Sequence, residues 1–238
     1  MTPGVKVADR FRLVRQVGEG GMGAVHLAVD EHSGAQVALK TLTLRGDAAR
    51  ARFEREALTL ASLEHPNIVG YVAHGLPAEG EPWLAMEWVV GVAPDDATLS
   101  LADSLCVLRG AARGLAAAHA RGVIHRDIKP SNLILVGGDP EQVKLLDFGI
   151  ARGLSRGEGA ITLTATGETI GTPHYMAPEQ ARGTKDVDAR VDVYGLGAVL
   201  YQLIAGRPPL EGQSAIAVLA KILLEEPTPI GELVDGLP

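Results

Sequence analysis

The chain has a single cysteine, Cys106, so no disulfide can form within it. That scarcity fits a reducing compartment such as the cytosol. Cys106 lies in an apolar helical stretch and reads as a small buried side chain. No uninterrupted apolar run is long enough to span a bilayer. The segment from Met1 to Gln16 carries Lys6, Asp9, Arg10, Arg12 and Arg15 without an apolar core, which excludes a secretory signal peptide there. The expectation is a cytoplasmic chain with no membrane contact from this segment, although a tether in downstream sequence would change that. Positive charge is not in excess either. The net charge is −7, which argues against nucleic acid as a partner while leaving room for a local basic groove. The sequence has 238 residues, 46% of them hydrophobic. These suffice for a substantial core in one large domain or two small lobes, and the Ala- and Gly-rich composition is unlike that of disordered chains.

The densest chemistry lies between His125 and Gly149, which read HRDIKPSNLILVGGDPEQVKLLDFG. The apolar runs Leu133–Val136 and Val143–Leu146 flank a Gly137-Gly138-Asp139-Pro140 turn, the pattern of a hairpin. A short hairpin brings its ends together and so places Asp127 and Asn132 near Asp147. An amide and a carboxylate suit Mg²⁺, a hard cation that prefers oxygen ligands and keeps waters or phosphates in its shell. A second carboxylate left off the metal can accept a hydroxyl proton, and an ammonium such as Lys129 can steady a transferring phosphoryl group.

Earlier in the chain, Phe11 to Val17, Gly23 to Val29 and Gln36 to Leu42 are short β-branched or apolar segments between polar or Gly-rich turns, an antiparallel meander. The first turn, Gly18-Glu19-Gly20-Gly21-Met22-Gly23-Ala24-Val25, has the form G-x-G-x-x-G-x-V. Its glycines let backbone N–H groups approach a phosphate without side-chain obstruction. Dinucleotide-binding folds carry G-x-G-x-x-G too, but they follow it with a helix, whereas Ala24 to Val29 reads as a strand. A helix is expected between Ala48 and Leu63, with Phe53, Ala57 and Leu60 on its apolar face. Glu56 falls on that face and Glu54 points away. An inward carboxylate needs a cation, and Lys40 in Val37-Ala38-Leu39-Lys40 is the candidate. His65-Pro66-Asn67 ends the helix. Ile68 to His74 and Trp83 to Val89 complete the strands.

H-R-D-x-K-P-x-N, D-F-G, the glycine flap and V-A-L-K, with Gly171-Thr172-Pro173-His174-Tyr175-Met176-Ala177-Pro178-Glu179 downstream, resemble the motif set of protein kinases. The likeness covers Phe11 to the last residue. Lys129 and the closing G-T-P-x-Y-M-A-P-E make it similar to bacterial eukaryotic-like Ser/Thr kinases. The resemblance implies an α+β, bilobal fold. Residues 1–10 would be an extension, 11–88 a small antiparallel-sheet lobe with one helix, and 89–238 a mostly helical lobe lacking its last helices.

It also implies roles and partners. Asp127 would orient the substrate hydroxyl and accept its proton, with Lys129 and Thr172 beside it. Asn132 and Asp147 would hold Mg²⁺, with Mn²⁺ as an alternative ion. Lys40, steadied by Glu56, would reach the ATP phosphates under Gly18, Gly20 and Gly23. Met86 would size the adenine pocket, and Glu87 and Val89 would offer backbone groups to its edge. Val17, Val25, Ala38 and Ile134 would sandwich the ring. Arg126 would dock a phosphorylated activation loop. That loop is the Thr-rich stretch 150–169, with Thr164 and Thr166 as phospho-acceptors. Protein Ser/Thr hydroxyls would be the substrates, and self-association would allow trans-autophosphorylation.

After Gly91 the family has a helix before the long one leading to the catalytic loop. Here only Val92-Ala93-Pro94-Asp95-Asp96-Ala97-Thr98 precede Leu99, so that helix reads as reduced to a loop. The long helix begins at Ser100 or Asp103 and closes at Gly122, carrying Leu105, Leu108, Ala112, Leu115 and His119 at helical spacing. His119 reads as a packed helix residue rather than a ligand. Asp192 to Ala205 is apolar nearly all round, a buried helix, in which Asp192 would hydrogen-bond the catalytic-loop backbone. Gln213 to Leu224 is one further helix. No arginine follows Arg207, so the family's usual partner for Glu179 is missing. Two functions follow from the resemblance: an active protein Ser/Thr kinase, or a nucleotide-binding pseudokinase acting as a binding module. A small-molecule kinase would not need the Thr-rich loop.

Overall fold

A computed structural model of the chain describes residues 4–20, 23–44, 46–78, 80–148, 173–184 and 186–237. It divides into two compact units, with Val89 on one side of the division and Val90 on the other.

The first unit is an antiparallel sheet with one helix. Its strands are β1 (Lys6–Val7), β2 (Phe11–Gly20), β3 (Gly23–Asp30), β4 (Gln36–Leu42), β5 (Tyr71–Gly75) and β6 (Trp83–Glu87), in the order β1-β2-β3-β4-β6-β5. Alternation divides the side chains between two faces. Phe11, Leu13, Ala28, Val37, Leu39, Trp83 and Ala85 form one core, in which the Phe11 and Trp83 rings meet edge-on at 5.1 Å. On the other face, Leu42 and Leu84 pack against Phe53 and Ala57 of α1 (Asp47–Ala61). The stretch ahead of Phe11 joins the sheet through β1. A fork from Arg10 to Asp30, with both contacts at 2.8 Å, secures it. That fork, aided by Ser33 and the His32 N–H, holds the buried Asp30 carboxyl well below the usual carboxylate range. Strand β6 stops at Glu87 rather than Val89, because Glu87 pairs with Val37 near the start of β4 and the partner strand runs out. Strand β5 begins at Tyr71 rather than Ile68, which closes a turn onto His65 O at 3.0 Å.

The second unit is mostly helical. It contains β7 (Gly91–Val92), α2 (Leu101–His119), β8 (Leu133–Val136), β9 (Val143–Leu145), α3 (Pro178–Ala181), α4 (Arg190–Ala205) and α5 (Ala215–Leu224). The stretch after Gly91, read as a loop in place of the family's helix, holds a single 3₁₀ turn, Pro94–Asp96. Ser100 and Asp103 both serve the start of α2. The Asp103 N–H donates to Ser100 Oγ at 3.2 Å and the Ser100 N–H donates back to Asp103 Oδ2 at 3.0 Å, a reciprocal cap that satisfies two orphan donors. Helix α4 ends at Gly206 in the left-handed conformation, the usual helix stop. Helix α5 begins after Ser214, whose Oγ accepts from the Ala217 N–H. A capping hydroxyl sets this boundary, two residues later than apolar content alone suggests.

Helix α4 comes directly against the loop that carries Ile128. A Cβ on Gly195 would lie 2.9 Å from Ile128 Cβ and 3.3 Å from Ile128 O. A glycine there lets the helix backbone come against the loop, which any side chain would push away.

Candidate active site

In the first unit, the flap is the β2–β3 hairpin, with Gly18 opposite Val25 and Gly20 opposite Gly23. A Cβ on Gly18 or Gly20 would meet nothing within 4 Å, whereas one on Gly23, at φ 138°, would fall 1.9 Å from Thr41 O. Gly23 is therefore required by the sheet, whereas among the described residues nothing stands against the Cβ positions of Gly18 and Gly20. Lys40 lies directly opposite Val25 on β3 and Leu84 on β6. It shares its face with Ala38, Met86 and the residues that meet α1. On α1, Glu54 is exposed while Glu56 is half-buried, with one carboxylate oxygen fully enclosed. Met86, Glu87 and Val89 are half-buried and Val17 is 37% exposed. The Glu87 N–H is committed to Gly70 O at 2.7 Å, and its carboxylate accepts from the Gly70 N–H at 3.0 Å. Any adenine contact at Glu87 would thus use its carbonyl.

In the second unit, the loop from His125 to Asn132 is held from several directions. Asp192, at the start of α4 and 1% exposed, accepts the His125 N–H at 2.8 Å and the Arg126 N–H at 2.7 Å. His119 Nε2 meets the same carboxylate at 2.7 Å. Asn132 Nδ2 donates to Asp127 O at 2.7 Å and to Asp127 Oδ2 at 3.1 Å, and Lys129 Nζ lies 3.2 Å from Oδ2. Because the Asn132 nitrogen points at Asp127, its carboxamide oxygen is the atom left for a cation.

The hairpin closes as the pattern predicts. Leu133 pairs with Leu145, and the Leu146 N–H donates to Asn132 O at 2.9 Å, so Asn132 and Asp147 stand close along the chain's return. Ile134 is half-buried on β8. His125 is fully buried, with Nε2 against Leu146 O at 2.7 Å and its ring 4.7 Å from Phe148. It receives the Asp127 N–H on Nδ1 at 3.3 Å. Burial pushes its pKa down against the pull of Asp192, consistent with one neutral tautomer that donates from Nε2 and accepts at Nδ1. Arg126 and Asp147 have positive φ, 64° and 50°, a strained geometry that persists where surrounding bonds over-determine it.

The structure thus gathers Asp127, Lys129 and Asn132 into one hydrogen-bonded group and sets Asp147 at the hairpin's return. Lys40 and Glu56 belong to the first unit. Thr164, Thr166 and Thr172 lie outside the described residues. Three features were not read from the sequence: the His119–Asp192 bond, the dual role of His125, and Gln180. Gln180 bridges Ala177 and Arg126 through hydrogen bonds of 3.1 and 3.0 Å. No spacing rule signals such side-chain-to-backbone ties between distant segments. Near Glu179, the arginine whose charge feels it is Arg190, which also grips Asp188 at 2.8 Å.

The donor set fits a hard divalent cation. An amide oxygen and a carboxylate are oxygen ligands, and among the described residues no group of three or more His, Cys, Asp or Glu forms a complete protein cage. Such a partial shell suits an ion that shares phosphate oxygens.

The fold is that of a protein kinase. The chain superposes on the solved kinase domain of Mycobacterium tuberculosis PknI with a TM-score of 0.73 at 30% identity, covering 98% of this chain and 84% of that one. Residues 11–229 match the protein kinase domain family, and the chain belongs to that family, on its bacterial Ser/Thr branch. It is 42% identical over 246 residues to a probable serine/threonine-protein kinase of Corynebacterium efficiens, covering 97% of this chain and 36% of that protein. It is 40% identical over 250 residues to the serine/threonine-protein kinase PknB of M. tuberculosis, covering 100% of this chain and 39% of that protein. The chain therefore spans less than two fifths of the length of either relative. Kinases of this family act on proteins with ATP and a divalent metal. No helix among the described residues is long and apolar enough to cross a membrane.

Proposed function

We propose that this chain is the catalytic domain of a protein Ser/Thr kinase that transfers the γ-phosphoryl group of ATP to protein hydroxyls. The observation that carries the reading is the Asp127 carboxylate, bonded at one oxygen by Asn132 at 3.1 Å and Lys129 at 3.2 Å. It supplies a base beside a cation and an amide. The substrate oxygen attacks the γ-phosphorus, the bond to the β-phosphate oxygen breaks, ADP leaves, and the hydroxyl proton passes to Asp127. Lys129 stabilises charge on the transferring group. Asn132 and Asp147 would hold Mg²⁺, or Mn²⁺ as an alternative, which neutralises phosphate charge. Lys40, supported by Glu56, would bind the α- and β-phosphates, and Gly18, Gly20 and Gly23 would cover them. Val17, Val25, Ala38, Met86, Glu87, Val89 and Ile134 would contact adenine. Thr172 would favour hydroxyl substrates, Thr164 and Thr166 would be autophosphorylated, and self-association would bring a second copy to that loop. The domain would act in the cytoplasm, with neither nucleic acid nor membrane as a partner of this segment.

Mass spectrometry after incubation with Mg-ATP should show phosphate on Thr164 and Thr166. Asp127→Asn and Asp147→Asn should abolish it, each by ~100-fold or more, with unchanged thermal unfolding. Wild-type transfer in those variants would sink the assignment. A second reading, a module that binds nucleotide without turnover, is favoured by the single 3₁₀ turn at Pro94–Asp96 in place of a helix. Stabilisation by Mg-ATP without phosphate transfer would support it.

A further inference from the structure

The peptide that joins Arg126 to Asp127 is gripped on its carbonyl as well as through the preceding N–H. Arg126 sits at φ 64°, in the left-handed region that residues other than glycine rarely adopt. Asp192 takes the Arg126 N–H at 2.7 Å, and Gln180 donates from Nε2 to Arg126 O at 3.0 Å. The orientation of the Gln180 carboxamide is set by its other end, since Oε1 accepts the Ala177 N–H at 3.1 Å. With oxygen and nitrogen so assigned, only the nitrogen can face Arg126 O. The same peptide's N–H belongs to Asp127 and is directed at His125 Nδ1. Both polar atoms of the plane that carries the Asp127 backbone are therefore committed to side chains.

Gln180 lies in α3 (Pro178–Ala181), immediately after Glu179. Its oxygen closes the first turn of that helix while its nitrogen reaches the loop 54 residues earlier. A glutamate at this position could cap the turn equally well but would set a carboxylate against a carbonyl. A methionine would match the length and supply neither bond. The amide is the one isostere of these three that satisfies both neighbours.

We propose that Gln180 is a positioning residue for phosphoryl transfer: it fixes the Arg126–Asp127 peptide plane and thereby makes the aim of the Asp127 carboxylate depend on the seating of the Pro178–Ala181 turn. The proposal rests on the kinase reading above. The bond acts on the base rather than on nucleotide, so its loss falls on kcat and leaves KM for ATP alone. One lost hydrogen bond to a strained peptide corresponds to about a tenfold fall in kcat.

The test uses the whole chain with Gln180→Met and Gln180→Glu. Gln180→Met should lower kcat about tenfold with KM for ATP within roughly twofold, measured at a temperature where the variant is fully folded. Gln180→Glu should be at least as impaired at pH 8, and its activity relative to wild type should recover as the pH falls toward 6. A carboxyl beside a carbonyl protonates above the usual ~4.3 and then donates as the amide does. A merely structural role predicts no such recovery. NMR of the Arg126 carbonyl carbon and Asp127 amide nitrogen supplies a readout independent of turnover. Both should shift in Gln180→Met, with the α4 resonances unmoved. Unshifted resonances, a kcat within twofold of wild type, a loss that tracks the folded fraction, or a Gln180→Glu profile parallel to wild type would each overturn the proposal. A wild-type chain that transfers no phosphate would instead sink the kinase reading, and the resonance shifts would still decide the role of Gln180 in the loop.

Discussion

Gly18–Gly23 in the first unit and His125–Asn132 in the second both read as phosphate-handling loops, and they are built in opposite ways. Among the described residues a Cβ on Gly18 or Gly20 would meet nothing, and the two strands simply continue the sheet's own ladder. The second loop is tied by Asp192, His119, His125, Asn132 and Gln180, through bonds of 2.7–3.3 Å. A flap that binds a phosphate needs accessible N–H groups and little bulk. A base that must face one hydroxyl needs its orientation settled before the substrate arrives. Open space serves the first task and over-determination the second.

Three substitutions break or sharpen this contrast. Asp192→Ala removes the acceptor of two backbone N–H groups. Each orphaned donor costs roughly 1–3 kcal/mol, so chemical denaturation should show the largest loss, with phosphate transfer failing alongside. Native stability in that variant would mean that the loop holds itself. Gly20→Ala should leave denaturation unchanged, because no described residue occupies the space of its Cβ. KM for ATP should rise by roughly three- to tenfold as the methyl obstructs the backbone's approach. An unchanged KM would show that phosphate does not come near Gly20.

The smallest effect is expected at His26, which is buried and whose ring nitrogens have no hydrogen-bond partner among the described residues. Burial lowers its pKa, with the N-terminal charge adding to the effect and Glu19 and Glu81 opposing it. An unfolded chain then binds the proton more readily than the folded one, so stability is greatest above the unfolded value of ~6.5 and falls as the pH drops below it. His26→Leu should flatten that slope between pH 7 and 5. A slope identical to wild type would remove His26 as its source.

Much of this was legible from residue types and spacing. The G-x-G-x-x-G-x-V turn, the alternation in Gln36–Leu42, the hairpin around Gly137-Gly138 and the contrast between Glu54 and Glu56 are local patterns of period two or 3.6. The strand ends at Glu87 and Tyr71 were less legible, since a strand stops where its partner does and β4 lies far away in sequence. The stretch ahead of Phe11 showed charge and no apolar core. It enters the sheet because Arg10 finds Asp30, which no local rule announces.

Sequence by itself determined which chemical groups this protein carries and in what order: a glycine turn, a strand lysine, two carboxylates with an amide and an ammonium, and a threonine-rich stretch. Local order suffices for those because turns, strands and hairpins are governed by neighbours a few residues away. Only the tertiary structure decided that Gln180 holds the carbonyl of the strained Arg126, whose N–H Asp192 takes, and that Gly195 lets α4 come against Ile128. Those contacts join segments more than fifty residues apart. Hydrogen bonds to backbone atoms, unlike hydrophobic periodicity, leave no repeating mark in the chain.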